Sequence, residues 1–232
     1  MKEIPKEGEL IRMSTGIQGL DEMLEGGAPF PSTLLVAGGA GTGKTTFGLQ
    51  FLFEGAKRGE QGVYFTTLSE TPQWLLRFTS RFKFIDRKYL GKEIRYVDLG
   101  KVLTWEKTSQ SIIGAIEKEM SAIMPQRVVI DPITVVKDRL GNEYRPFVFE
   151  LCARLKNWQS LTILTGEVMP EELYPLELAY TVDGIILLTN IEEEGRRVRY
   201  LEILKMRGTE HLTGKYQFSI SKNGITVIPG LK

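Results

Sequence analysis

Residues Gly38 to Thr46 read Gly-Gly-Ala-Gly-Thr-Gly-Lys-Thr-Thr, directly after the apolar run Leu34-Leu35-Val36-Ala37. The chemistry that such a segment can do is phosphate binding. Glycines let backbone N–H groups turn inward and let a polyphosphate approach closely. In the spacing G-x-x-x-x-G-K-T, Lys44 reaches the β- and γ-phosphates and the Thr45 hydroxyl is placed to ligate Mg²⁺. A helical pattern follows (Phe47, Phe51, Leu52). Its first amides and its dipole add to the anion site. The segment is a P-loop. Its nucleotide-binding residues are predicted as Gly39, Ala40, Gly41, Thr42, Gly43, Lys44, Thr45 and Thr46.

A P-loop specifies only a nucleoside triphosphate. Asp131 ends the apolar run Arg127-Val128-Val129-Ile130 and fits the acid of a Walker B strand. Such an acid helps to hold Mg²⁺ and to neutralise phosphate charge, so Thr45 and Asp131 are the predicted metal residues. The bland alternative is a turn aspartate before Pro132.

Hydrolysis also needs a group that orients or deprotonates the attacking water. The natural place is the tip of a strand beside the P-loop strand, and Tyr64 to Pro72 is expected to supply it. Glu70 is the one carboxylate there. It reads equally as a water-positioning group and as an acid near the start of the next helix.

Lys205-Met206-Arg207-Gly208-Thr209-Glu210-His211 is a third informative segment. Lys205 and Arg207 stand at i, i+2 and share one face of a strand. Spacing leaves two readings open. One is surface charge plus a loop histidine. The other is a set of cations that completes a neighbouring subunit's triphosphate site, as an arginine finger does.

These residues need a scaffold. Ser32 to Gly38, Gly62 to Thr66, Ile94 to Asp98, Arg127 to Asp131 and Leu161 to Thr165 read as short buried strands. Between them lie helical patterns from Gly43 to about Arg58, from Pro72, along Ile112 to Ile123 and from Arg145 to Trp158. This alternation predicts an α/β fold with a mainly parallel sheet covered by helices. Thr15 to Leu24 reads as a further short helix, and residues 1–13 as a charged arm. Trp74, Phe78 and Phe82, at i, i+4, i+8, read as a core stripe in preference to a base-stacking platform. Towards the C-terminus, Gly184 to Thr189 and Val198 to Lys205 are expected to flank a solvated charged tip, Glu192 to Arg197. Tyr216 to Ile220 and Ile225 to Ile228 flank Asn223-Gly224, a hairpin signal.

The chain has 232 residues and a formal net charge of +1. Length favours one domain over residues 1–232. The charge gives no global field that demands nucleic acid. There is no apolar run long enough for a membrane helix and no signal-like N-terminus, so a cytoplasmic location is expected. The lone Cys152, among Phe147, Leu151 and Leu155, reads as buried core.

The chain resembles a single-domain member of the KaiC-like ATPases, within the RecA superfamily. The resemblance covers residues 12 to 229. It rests on Arg12-Met13-Ser14-Thr15-Gly16-Ile17-Gln18-Gly19-Leu20-Asp21-Glu22-Met23-Leu24, the P-loop, Thr67-Leu68-Ser69-Glu70-Thr71-Pro72, and Lys205 to His211 with its trailing hairpin. It implies a sheet with one strand between the Walker A and Walker B strands, and homo-oligomeric rings, usually hexamers, with ATP at the interfaces. It also implies that Lys205, Arg207 and His211 reach a neighbour's nucleotide, and that Met206 and Thr209 line that site. Thr165-Gly166-Glu167 resembles the family's polar sensor segment, with Glu167 near the γ-phosphate. The family's clock member carries two such domains in tandem, so a clock function does not carry over to this length.

One departure matters. The family pairs two glutamates after the second strand, the first resembling the catalytic base; here the pair is Ser69-Glu70. Serine has no basic carboxylate. A milder departure is Pro132 where a hydroxyl residue often follows the acid. The expectation is a Mg²⁺-dependent ATP-binding protein and slow ATPase, with Glu70, Lys44 and Arg207 as catalytic residues. The alternatives are a nucleotide-gated assembly protein without hydrolysis and, less favoured, a DNA-binding recombinase-like paralogue. Arg77 and Arg81 are expected either to stack on a base or to form surface salt bridges.

Overall fold

The computed structural model describes residues 10–68, 70–105, 108–169, 172 and 174–230. Most of the expected arm, residues 1–9, lies outside them, and so does Ser69.

The elements in order are β1 (Arg12–Met13), α1 (Leu20–Met23), β2 (Ala28–Pro29), β3 (Ser32–Gly38), α2 (Lys44–Lys57), β4 (Gly62–Thr66), α3 (Pro72–Thr79), β5 (Ile94–Asp98), α4 (Gly100–Trp105), α5 (Ser109–Ile123), β6 (Arg127–Asp131), α6 (Val135–Leu140), α7 (Tyr144–Asn157), β7 (Leu161–Glu167), α8 (Leu176–Ala179), β8 (Gly184–Glu193), β9 (Arg196–Met206), β10 (Lys215–Ser221) and β11 (Gly224–Val227).

Nine of the strands form one sheet in the order β11-β10-β9-β8-β3-β7-β6-β4-β5. From β8 to β5 all neighbours are parallel. From β8 to β11 they are antiparallel. The parallel strands are apolar on both faces because helices cover both. Leu34 and Val36 of β3 join a core with α2 and the C-terminal hairpin. Leu35 and Ala37 join a core with α5 and α7, which also holds Cys152. β7 separates β3 from β6, as the resemblance implied.

Three expectations need correction. The Thr15 to Leu24 helix shrinks to α1, because Gly16 (φ 73°) and Gly19 (φ 85°) take left-handed conformations that end helical geometry. Asp21 fixes the resulting loop by accepting from the Thr15 N–H at 2.7 Å and the Ser14 hydroxyl at 2.6 Å. The arm is partly structural, since β1 pairs with β2. In α3 the buried positions are Leu75 and Thr79, so Trp74 (51% exposed) and Phe78 (68%) fall on the solvent face. Of the aromatic stripe only Phe82, beyond the helix end, is core.

The charged tip is solvent-exposed, and the Asn223-Gly224 signal does close the β10–β11 hairpin. Gly224 (φ 100°) is required there, because a Cβ would lie 2.3 Å from Gln50 Oε1. Buried Gln50 bonds both the N–H and the C=O of Ile225, tying that hairpin to α2. Among the described residues no helix is long and apolar enough to cross a membrane.

Candidate nucleotide site

The P-loop joins the C-terminal end of β3 to the start of α2. Gly41 (φ 74°) and Gly43 (φ 108°) supply its left-handed turns. Thr42 closes the loop with a 2.9 Å bond from its hydroxyl to the Gly39 carbonyl. Lys44 turns back across it, donating to the carbonyls of Gly38 at 2.8 Å and Gly39 at 2.9 Å. Burial lowers the Lys44 pKa, and the charges of Glu167 and Asp131 oppose that shift. A half-buried ammonium in a ring of backbone groups is poised for an anion. The predicted Ala40 and Thr46 lie on the same loop and first helical turn.

Asp131 meets that loop from β6. Its Oδ2 accepts from the Thr45 hydroxyl at 2.7 Å and from the Tyr64 hydroxyl at 2.5 Å, and its Oδ1 accepts from Thr165. Three hydroxyls thus orient one buried carboxylate. Burial, and then the Asp131 charge, push the Tyr64 pKa well up, so Tyr64 remains a donor. The Thr45 and Asp131 oxygens converge as a hard divalent cation requires.

The Glu70 segment reaches the site differently from expectation. β4 does not adjoin β3; β6 and β7 lie between them. The tip instead leans on the Asp131 turn, through Thr67 N–H to the Asp131 carbonyl at 3.1 Å and Thr67 hydroxyl to the Pro132 carbonyl at 2.8 Å. Glu70 is exposed, and its carbonyl accepts from the Tyr96 hydroxyl at 2.7 Å. Tyr96 stacks on Tyr64 with 5.4 Å between centroids. An aromatic pair therefore links the Glu70 segment to Asp131. Glu167 stands opposite Gly38 in the β3–β7 register, with its N–H on the Thr134 hydroxyl at 3.1 Å.

The cationic segment is at the other end of the sheet. Lys205 pairs with Ile185, and the Arg207 N–H donates to the Asp183 carbonyl beside Thr33. Thr33 is five residues before Gly38 on β3, ~17 Å at about 3.3 Å per residue. Lys205 donates to the carbonyls of Val182 at 2.8 Å and Ala179 at 3.1 Å, and burial lowers its pKa. Thr209 accepts from Arg12 at 2.9 Å, and partly exposed His211 contacts the Leu212 carbonyl at 3.4 Å. The Met206 side chain is buried (5% exposed) against Gly184 and faces the subunit's own core. The structure brings Lys44, Thr45, Asp131 and the Glu70 segment together and keeps Lys205, Arg207, Thr209 and His211 away from them.

A family model described as "ATPase: KaiC" matches residues 13–232. This chain belongs to the KaiC ATPase family. The circadian clock oscillator protein KaiC of Synechococcus elongatus is 34% identical over 95% of this chain, which spans 44% of that protein. A UPF0273 protein of Methanopyrus kandleri is 34% identical, with 94% of this chain and 92% of that one aligned. The crystal structure of a KaiC-like protein from Pyrococcus horikoshii OT3 superposes with a TM-score of 0.84 at 36% identity, over 95% of this chain and 100% of that one. Membership in the family supports nucleotide binding.

Sequence reasoning missed several supports of the site. It places Tyr64 and Tyr96 on strands without a partner and Thr165 only in a sensor-like segment, and it does not single out Asp183. Arg12 lay in the supposed arm, yet it also bonds the carbonyls of Leu24 at 3.0 Å and Gly27 at 3.2 Å. The Arg77 and Arg81 guanidiniums each lie over an aromatic ring of their own chain, Trp74 at 5.2 Å and Phe82 at 5.6 Å, in place of the surface salt bridges that were one of the two expectations.

Proposed function

We propose that the chain binds Mg·ATP at the P-loop and is a slow ATPase that assembles into a homo-oligomeric ring, a hexamer in the reading that follows the family. Backbone amides from Gly39 to Thr45 cradle the phosphates, Lys44 neutralises their β/γ oxygens, and Thr45 and Asp131 hold Mg²⁺. That ion supplies charge neutralisation at the phosphates when bound. Glu70 orients water. The observation that carries the reading is the separation within one subunit. Arg207, level with Thr33, lies ~17 Å and Lys205, level with Leu35, ~10 Å along the strand direction from the end of β3 where their own chain's P-loop begins, so the nucleotide they serve is a neighbour's. One domain over residues 1–232 and a cytoplasmic setting complete the proposal.

The test is Mg·ATP turnover measured beside particle mass, for wild type, Lys44→Ala, Arg207→Ala and Ser69→Glu. Turnover confined to an ATP-dependent oligomer, abolished by Lys44→Ala and reduced by Arg207→Ala, is the expected result. Unchanged turnover and affinity in Lys44→Ala overturns the phosphate assignment. Ser69 in place of the family's first glutamate favours a second reading, in which ATP only holds the assembly together. Tight binding and assembly without turnover, and a large gain in Ser69→Glu, select that reading. ATP-dependent, salt-sensitive single-strand binding would instead select the recombinase-like alternative.

A further inference from the structure

We infer that Asp183 is a positioning residue, which aims the Arg207 guanidinium out of its own subunit toward the neighbour's nucleotide; this rests on the reading of Arg207 given above. Asp183 stands immediately before β8 and is locked on every side. Its N–H donates to the Thr33 carbonyl at 2.8 Å and its carbonyl accepts the Arg207 N–H at 2.9 Å. Its Oδ2 accepts the Thr33 N–H at 3.0 Å. Its Oδ1 accepts from Lys156 Nζ at 2.9 Å and from Arg207 NH1 at 3.1 Å.

The two partners differ in freedom. The Asp183 side chain is 12% exposed and the Arg207 side chain 56%. A buried, doubly tethered carboxylate therefore holds one nitrogen of a guanidinium whose remainder projects into solvent. The guanidinium has five N–H donors in a rigid fork. Among the described residues only NH1 is engaged by an acid, which leaves Nε and NH2 for a phosphate. Lys156 shares Oδ1, so Asp183 stays neutralised if Arg207 tilts away, and the strong penalty for an unpaired buried charge does not arise. The same loop holds Lys205 through the carbonyls of Ala179 and Val182. Both cations are thus oriented by residues 179–183.

The experiment is a double-mutant cycle on assembly: wild type, Asp183→Asn, Arg207→Ala and the double variant. Sedimentation in Mg·ATP gives the protein concentration at half-assembly, and a fluorescent ATP analogue gives the affinity of the dilute subunit. Asparagine keeps an oxygen for the Thr33 N–H and loses the charge that holds Arg207. Asp183→Asn is expected to raise the half-assembly concentration about tenfold, with the double variant no worse than Arg207→Ala alone. Subunit affinity for the analogue stays at the wild-type value. Shifts that multiply in the double variant overturn the inference, because a purely structural Asp183 would act independently of Arg207. No shift in Arg207→Ala, or no ATP-dependent assembly of wild type, overturns the underlying reading of Arg207 instead. If Asp183→Asn does not fold, Asp183→Glu runs the same cycle, since its extra methylene keeps the charge and mis-aims it.

Discussion

Thr45, on the helix after β3, and Asp131, at the end of β6 on the far side of β7, meet through a 2.7 Å hydrogen bond between Oγ1 and Oδ2. On the proposed reading, these two oxygens, brought together by separate elements, hold one hard cation. Asp131→Asn removes the charge while keeping the shape. The expected result is at least ~tenfold weaker ATP binding in Mg²⁺, with binding in chelator close to wild type because Lys44 is untouched. Calorimetric titration with and without Mg²⁺ decides it, and equal loss under both conditions would contradict the assignment.

Tyr64 holds that carboxylate from β4, by a 2.5 Å bond to its Oδ2. A hydrogen bond to a charged group contributes about 1.5–3 kcal/mol. Tyr64→Phe is expected to lower stability by ~1–2 kcal/mol, since Thr45 and Thr165 still satisfy Asp131. Urea unfolding of the nucleotide-free protein measures this. An unchanged midpoint would mean that the hydroxyl is as well solvated by water.

The solvent face of α3 gives a contrast within one helix. Phe78→Ser is expected within ~0.5 kcal/mol of wild type, because its ring is already exposed. Leu75→Ala, one turn inside the core, is expected to cost ~2–4 kcal/mol. Comparable losses at both positions would show that Phe78 has a buried partner.

The expected strands match the observed parallel strands nearly residue for residue, for a physical reason. Short runs such as Val128-Val129-Ile130 are apolar on both sides, and only a sheet covered on both faces buries them. The P-loop and Asp131 were legible because glycines, lysine and acid at fixed spacing leave few other uses. The hidden part depends on long-range register. Nothing local shows that Asp183 would clamp the start of β3, or that Tyr64 would reach Asp131 from the adjacent strand. Trp74 and Phe78 misled because a period of four fits both faces of an eight-residue helix, and Thr79 rather than Phe78 follows Leu75 into the core.

Cys152 lies in the core on α7, and burial pushes its thiol up to about 12 from 9.0. The folded state keeps this proton while the unfolded chain releases it near 9.0. The contribution to stability is present below that value and is lost as pH rises from there toward about 12. Iodoacetamide at pH 8.5 is expected to leave the native protein unmodified and to alkylate it fully in urea. Rapid native alkylation would show that α7 opens locally.

Lys44 has the opposite sign. Burial holds its pKa below 10.5 in the fold, despite the Glu167 and Asp131 charges. The unfolded chain therefore binds this proton more tightly than the folded one. Between the two pKa values, stability contributed at this position rises with pH. The unfolding free energy of wild type minus that of Lys44→Met, without nucleotide, is expected to climb from pH 8 toward pH 10.5. Saturating ATP places phosphate oxygens against the ammonium, favours its charged form and should flatten or reverse the climb. A difference independent of both pH and ATP would mean that the ammonium is as well solvated in the loop as in water, and that it faces away from the phosphate site.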